Sequence, residues 1–168
     1  TPLYGRDSIQ ITVEDFKMDV FPVSNKQFLE FIKKNPKWKR STIKKLFADK
    51  NYLIDWKSDF DLGLQLPENA PITNVSWFVA KDYCECLGKR LPTVDEWEFV
   101  AMANEDLPDA RQLKTYNEYI LRWYEKPKTF NNNIGSTFKN FWNVYDLHGL
   151  VWEWTLDFNS VLAELLFT

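Results

Sequence analysis

Asp146-Leu-His-Gly-Leu-Val-Trp-Glu-Trp154 is the stretch around which the rest of the chain is organised. Two carboxylates, Asp146 and Glu153, stand on either side of Gly149, with apolar residues between them. Glycine tolerates a positive φ, so a tight turn at Gly149 would aim backbone carbonyls inward beside the two acids. Carboxylates and carbonyls around a turn make a hard-oxygen site, which suits Ca²⁺ better than a transition metal. The same residues also fit a plain turn, with Asp146 as its cap, Glu153 solvated and the tryptophans in the core.

A second stretch runs from Ser76 to Glu98 and holds Ser76-Trp-Phe, Tyr83-Cys, Gly88-Lys-Arg-Leu-Pro-Thr93 and Glu96-Trp-Glu98 in that order. Together with residues 146–154 it resembles the formylglycine-generating enzyme family, also called sulfatase-modifying factors. Members carry similar blocks, including a Tyr-Asp-Met-His-Gly-Asn-Val-Trp-Glu-Trp segment. Phe21-Pro22-Val23-Ser24-Asn25 looks like the family's entry to its first helix. The resemblance covers most of the chain. It implies a single α+β domain over 1–168 with a C-type-lectin-like fold, much irregular coil, and a C-terminal part that is apparently lacking.

The resemblance also implies a site. Carried over position by position, the Asp146 side chain, the Gly149 carbonyl, the Val151 carbonyl and the Glu153 side chain would hold a structural Ca²⁺. A second family Ca²⁺ site would begin at Asn133-Ile134, but the stretch to Tyr145 contains no acid, so that site is expected to be absent. The family's enzymes use O₂ and Cu(I) to oxidise a cysteine in a Cys-X-Pro-X-Arg sequence to formylglycine. Their copper sits on a pair of cysteines after an Arg-Gly-Gly-like segment, which nothing after Trp154 resembles. Copper is therefore expected only if a missing C-terminal part supplies the pair.

With 168 residues, 45% of them apolar and 17% aromatic, the chain can build one real core. A net charge of −3 argues against nucleic acid, and the basic run over residues 33–45 reads as a solvated face. No apolar run approaches the ~20 residues of a membrane span. The chain opens on Thr1 without an initiator methionine, which reads as a processed or trimmed start. An extracytoplasmic location, periplasmic or lipid-anchored, follows from the family resemblance only.

Along the chain, Ile9-Gln-Ile-Thr-Val13 alternates like a strand, and Phe16 to Val20 continues it. Ser24 and Gln27 make a capping box for a first helix carrying Phe28, Phe31 and Ile32 on one face. Residues 37–65 predict a short helix and an aromatic-pinned excursion. Ser76 caps a second helix whose buried stripe is Ala80, Tyr83, Cys84 and Leu87, ended by Gly88. Thr93 and Glu96 cap a third helix with Val94, Trp97 and Ala101 inward. Leu113, Tyr116, Ile120 and Tyr124 mark a fourth helical stripe, and residues 130–142 read as turns. Trp77, Trp97, Trp152 and Trp154 are expected to be buried.

The single histidine, His148, leaves no two-imidazole zinc site and no two-His iron triad. No nucleophile elbow accompanies it, so it reads as an imidazole packed beside the Gly149 turn. Cys84 and Cys86 lie about 200° apart on a helix and cannot readily grip one ion. These readings favour a non-catalytic scaffold or accessory protein, serving metalloenzyme maturation or bacterial secretion or gliding machinery. The alternative is the copper-dependent oxidase, and an iron-dependent sulfoxide synthase, in which this fold accompanies a histidine-bearing helical domain, ranks last. The expected partner is a protein or a cysteine-containing peptide.

Overall fold

The computed structural model describes residues 11–158. Helix α1 (Asn25–Lys34) begins at Ser24, whose hydroxyl accepts the Gln27 N–H at 3.2 Å while the Gln27 side chain accepts the Ser24 N–H at 2.9 Å. Two of the four orphan donors at the helix start are thereby satisfied. Lys33 and Lys34 sit in the last turn, where positive charge suits the helix dipole. Asn35 ends the helix by donating its side-chain amide to the Phe31 carbonyl, and Pro36 opens a three-residue 3₁₀ turn to Trp38 in place of the expected short helix.

Phe28, Phe31 and Ile32 of α1 pack into a first core with Tyr52, Leu53, Trp56 and Leu62 from the excursion and Val79 and Tyr83 from the next helix. The excursion has no regular structure of its own. Arg40 holds it by donating to the carbonyls of Leu53 at 2.9 Å and Trp56 at 2.8 Å, and the Tyr52 hydroxyl donates to the Trp38 carbonyl at 2.8 Å. Arg40 therefore pins backbone, a role that the reading of residues 33–45 as a solvated face missed.

Helix α2 (Trp77–Cys86) is capped by Ser76, whose hydroxyl accepts the Val79 N–H at 3.4 Å. It ends in a Schellman arrangement: Gly88 takes a φ of +68°, its N–H bonds the Glu85 carbonyl, and the Lys89 N–H bonds the Cys84 carbonyl. The buried positions are Val79 and Tyr83, with Cys84 half-buried. Leu87 is a correction: it is exposed, because it is the C-cap residue and the chain turns away there before a further helical turn can form.

Helix α3 (Val94–Ala101) has the Thr93–Glu96 capping box, and Val100 and Ala101 enter a second core with Val144 and Leu147, against which Trp97 packs half-buried. Helix α4 (Lys114–Glu125) buries Tyr116 and half-buries Tyr119, Ile120 and Trp123, an i, i+3, i+4, i+7 set. Tyr124 lies outside that set and is exposed.

The helices and irregular coil of the expected fold are present; among the described residues its strands are not. Among the described residues the only β pairing is three isolated bridges, Ser24 with Pro71, Ser58 with Asp61 and Lys139 with Tyr145. Residues 11–19 run as coil, and Ile9 and Gln10 of the expected first strand lie outside the described residues. Alternation predicts which face a strand would bury, but a strand also needs a neighbour to accept its backbone bonds. Among the described residues no helix is long and apolar enough to cross a membrane.

Candidate metal centre and aromatic groove

The 146–154 stretch leaves the second core at Leu147 and is tied down at its far end. Trp154 donates its indole N–H to the Val75 carbonyl, Trp77 donates to the Thr155 carbonyl, and the Leu156 N–H bonds the Pro92 carbonyl. The Asp157 carboxylate accepts the Val94 N–H at 2.9 Å, an anion at the positive end of α3. The stretch is thus held between the starts of α2 and α3 and the second core.

Asp146 is fully buried with a φ of +65°. Its Oδ1 accepts the Thr137 N–H at 3.0 Å and the Thr137 hydroxyl at 2.9 Å, and its Oδ2 accepts the Gly135 N–H. The acid therefore organises the 133–137 turn, and one lone pair on Oδ2 is left over. In the same turn, the Ile134 N–H bonds the Asn69 carbonyl.

Gly149 has a φ of +98°, and a Cβ there would stand 2.5 Å from the Tyr119 hydroxyl oxygen and 3.1 Å from a Thr137 methyl. Beyond it the carbonyls alternate in use. The Leu150 carbonyl accepts the Thr129 hydroxyl at 2.7 Å, whereas those of Gly149 and Val151 have no donor among the described residues.

Glu153 receives the Trp97 indole N–H on Oε2 at 2.6 Å, and Oε1 has no partner among the described residues. Desolvation pushes its carboxyl pKa above the usual range; the Trp97 bond opposes the rise, and the negative charge of Asp146 adds to it. Glu153 is exposed as a residue, and the Trp97 indole is the protein group bonded to its carboxylate among the described residues.

The oxygens the fit requires are thus the ones without protein donors: one Asp146 lone pair, the Gly149 and Val151 carbonyls, and Glu153 Oε1. All are hard oxygens and two belong to carboxylates, which is the donor type Ca²⁺ takes. Among the described residues no three Asp, Glu, His or Cys side chains gather, so an ion here has to draw on backbone carbonyls.

His148 faces the other way. Its Nε2 lies 2.9 Å from the Ala101 carbonyl, which also accepts the Tyr116 hydroxyl, and its ring packs edge-on against Trp97 and Tyr116. Burial pushes its pKa down, the Ala101 bond opposing. This is the packed imidazole expected from the sequence.

Trp152 is a correction: it is 73% exposed. The segment 151–155 has no regular structure, and Trp152 lies at a tilt against Trp123 and Tyr124, each with ring centroids 5.4 Å away. Trp154 is also partly exposed, and Trp77 and Trp97 are half-buried. Trp123, Tyr124, Trp152 and Trp154 line a groove of about 540 Å³ with Glu153 and Asn74. Trp123 was missed in the sequence although it lies seven residues after Tyr116, the spacing that marks the inward face of α4.

A family model described as the sulfatase-modifying factor enzyme 1-like domain matches residues 6–163. The chain is 29% identical to a Bos taurus protein named inactive C-alpha-formylglycine-generating enzyme 2, over 87% of this chain and 61% of that one. It is 24% identical to the Mus musculus formylglycine-generating enzyme, over 90% of this chain and 51% of that one. A Chlamydia pneumoniae protein named serine/threonine-protein kinase pkn1 is 26% identical over 88% of this chain but 23% of its own length. The chain thus spans 61% of the bovine relative and 51% of the murine one.

Proposed function

This chain belongs to the sulfatase-modifying factor enzyme 1-like domain family, and on that premise we propose that it is a non-catalytic scaffold or accessory protein that binds a protein partner. The observation that carries the reading is the placement of its two cysteines. Cys84 is half-buried against the first core, with its thiol pushed up by burial, and Cys86 is exposed on another side of α2. Side chains two apart on a helix diverge by roughly 200°, so these two thiols cannot share one Cu(I). Identity to a relative named as inactive supports the same reading.

In this reading the aromatic groove is the partner-binding face. Exposed Trp and Tyr side chains supply large contact area with few rotatable bonds, which is the usual composition of a binding anchor. Asp146, Gly149, Val151 and Glu153 hold a Ca²⁺ that supplies positive charge between two carboxylates and braces one wall of the groove. The finer assignment, to metalloenzyme maturation or to bacterial secretion or gliding machinery outside the cytoplasm, belongs to this proposal as well.

A second reading, the copper-dependent oxidase, is favoured by the identity to the murine formylglycine-generating enzyme over 90% of this chain. It would require a cysteine pair from outside these 168 residues. The two are separated by giving Cu(I), O₂ and a Cys-X-Pro-X-Arg peptide to the natural polypeptide that carries these 168 residues and reading the peptide by mass spectrometry. An unchanged thiol is the expected result, and conversion to the aldehyde overturns the non-catalytic reading.

A further inference from the structure

The loop at 140–144 is built to present two aromatic rings. Asn140 is buried; its side-chain oxygen accepts the Trp142 and Val144 N–H groups at 3.1 Å each, and its amide donates to the Val100 carbonyl at 2.8 Å. The Phe141 N–H bonds the Asn104 carbonyl at 2.7 Å, and Asn143 closes the turn with a φ of +63°. On this fixed backbone Phe141 and Trp142 are exposed and pack edge-on at 5.0 Å, and Trp142 lies 5.4 Å from the exposed Phe99 of α3. Rings held in place by backbone lose little entropy on docking.

The surroundings are acidic. Residues 95–109 hold six acids and no base. Glu96 is taken by Arg90 and Asp109 by Arg111, while Asp95, Glu98, Glu105 and Asp106 form no ion pair among the described residues. The opposite charge lies in residues 33–61, with nine basic residues against four acids. There Lys34, Lys44, Lys45 and Lys50 form no ion pair among the described residues, and Leu46 stands 79% exposed between them. None of the ion pairs among the described residues joins the two segments, which pack on different cores.

We propose that the Phe99–Phe141–Trp142 face of one copy docks on the lysine-rich 44–50 loop of a second copy, giving head-to-tail self-association. The aromatic rings meet Leu46 and the aliphatic stems of the lysines, and the unpaired acids meet the ammonium groups. The contact is heterologous, so each copy keeps one free face of each kind and assembly continues beyond the dimer. A small apolar centre with a charged rim makes the association weak and salt-sensitive.

Sedimentation velocity of the chain across a concentration series tests this. At low salt the average mass rises with concentration, and added salt weakens the association on the order of tenfold. Lys44→Glu/Lys45→Glu and Glu105→Lys/Asp106→Lys are each impaired alone, and mixing the two variants restores association with the two chains alternating, through the native contact and its charge-swapped counterpart. Trp142→Ala weakens association with circular dichroism unchanged. A wild type that stays monomeric at low salt overturns the proposal. So does association that neither charge reversal alters, or variants that do not rescue each other.

Discussion

Both terminal guanidinium nitrogens of Arg90 lie 2.6 Å from the two carboxylate oxygens of Glu96. The same carboxylate accepts the Thr93 N–H at 2.9 Å, so one buried acid closes the capping box of α3 and fastens the loop that leads into it. The Thr93 hydroxyl answers by accepting the Glu96 N–H at 3.2 Å.

This arrangement sets an acid limb of stability. The Arg90 bond, above all, holds the Glu96 carboxyl down to about 2, against an ordinary value of 4.5. A folded pKa below the unfolded one means that the stabilisation is complete above about pH 4.5 and is lost as pH falls toward 2. Glu96→Gln should lower stability at neutral pH and flatten the denaturation curve between those values. Urea melts of both proteins at a series of pH values check it; parallel acid limbs would show that Glu96 contributes nothing.

The capping signals were readable in sequence because each is local. Ser24, Ser76, Thr93 and Gly88 need only a hydroxyl or a missing Cβ next to a helical run, and all four do what their types dictate. Leu87 and Trp152 were misplaced because burial depends on where the chain goes next, which no periodicity contains. The α4 stripe was misread at its ends: Tyr116 and Ile120 face inward, but Tyr119 and Trp123 complete the face in place of Leu113 and Tyr124. At the candidate site, Asp146 and Glu153 were legible as acids around a glycine. The bonds of Asp146 to Thr137 and Gly135 join separate turns, and no spacing announces them.

The tryptophans should separate by mutation. Trp56 is buried in the first core and packs edge-on to Phe28, so Trp56→Ala should cost ~3–5 kcal/mol. Trp152→Ala removes an exposed ring resting on two others and should cost about 1 kcal/mol or less. Chemical denaturation of the two variants decides it, and equal losses would place Trp152 in a core.

Gly149 combines two constraints that can be taken apart. Gly149→Ala puts a Cβ against the Tyr119 hydroxyl and forces a side chain into a left-handed backbone, so it should cost ~1–3 kcal/mol. The Tyr119→Phe background removes the nearest atom but leaves the φ of +98°. It should therefore recover only part of the loss. Full recovery in the double variant would mean that the clash, and not the backbone, was the whole effect.

Ca²⁺ should stabilise this chain by linkage, because only the folded state presents the Asp146 and Glu153 carboxylates and the Gly149 and Val151 carbonyls together. Oxygen ligands at ~2.3–2.6 Å and a flexible loop favour Ca²⁺ over Mg²⁺, which demands a tighter octahedron and keeps its waters. Cu(I) should give no comparable gain, since Cys84 and Cys86 face different ways. Glu153→Gln keeps the shape of the side chain and an acceptor for the Trp97 N–H while removing one of the two charges. It should lose most of the Ca²⁺-dependent rise in Tm while keeping the apo circular dichroism spectrum. Val151→Ala should retain the rise, because Val151 contributes through its backbone carbonyl. Scanning calorimetry after chelation, with Ca²⁺, Mg²⁺ or Cu(I) added back, reads all of these; a wild-type Tm that Ca²⁺ does not move rules the centre out.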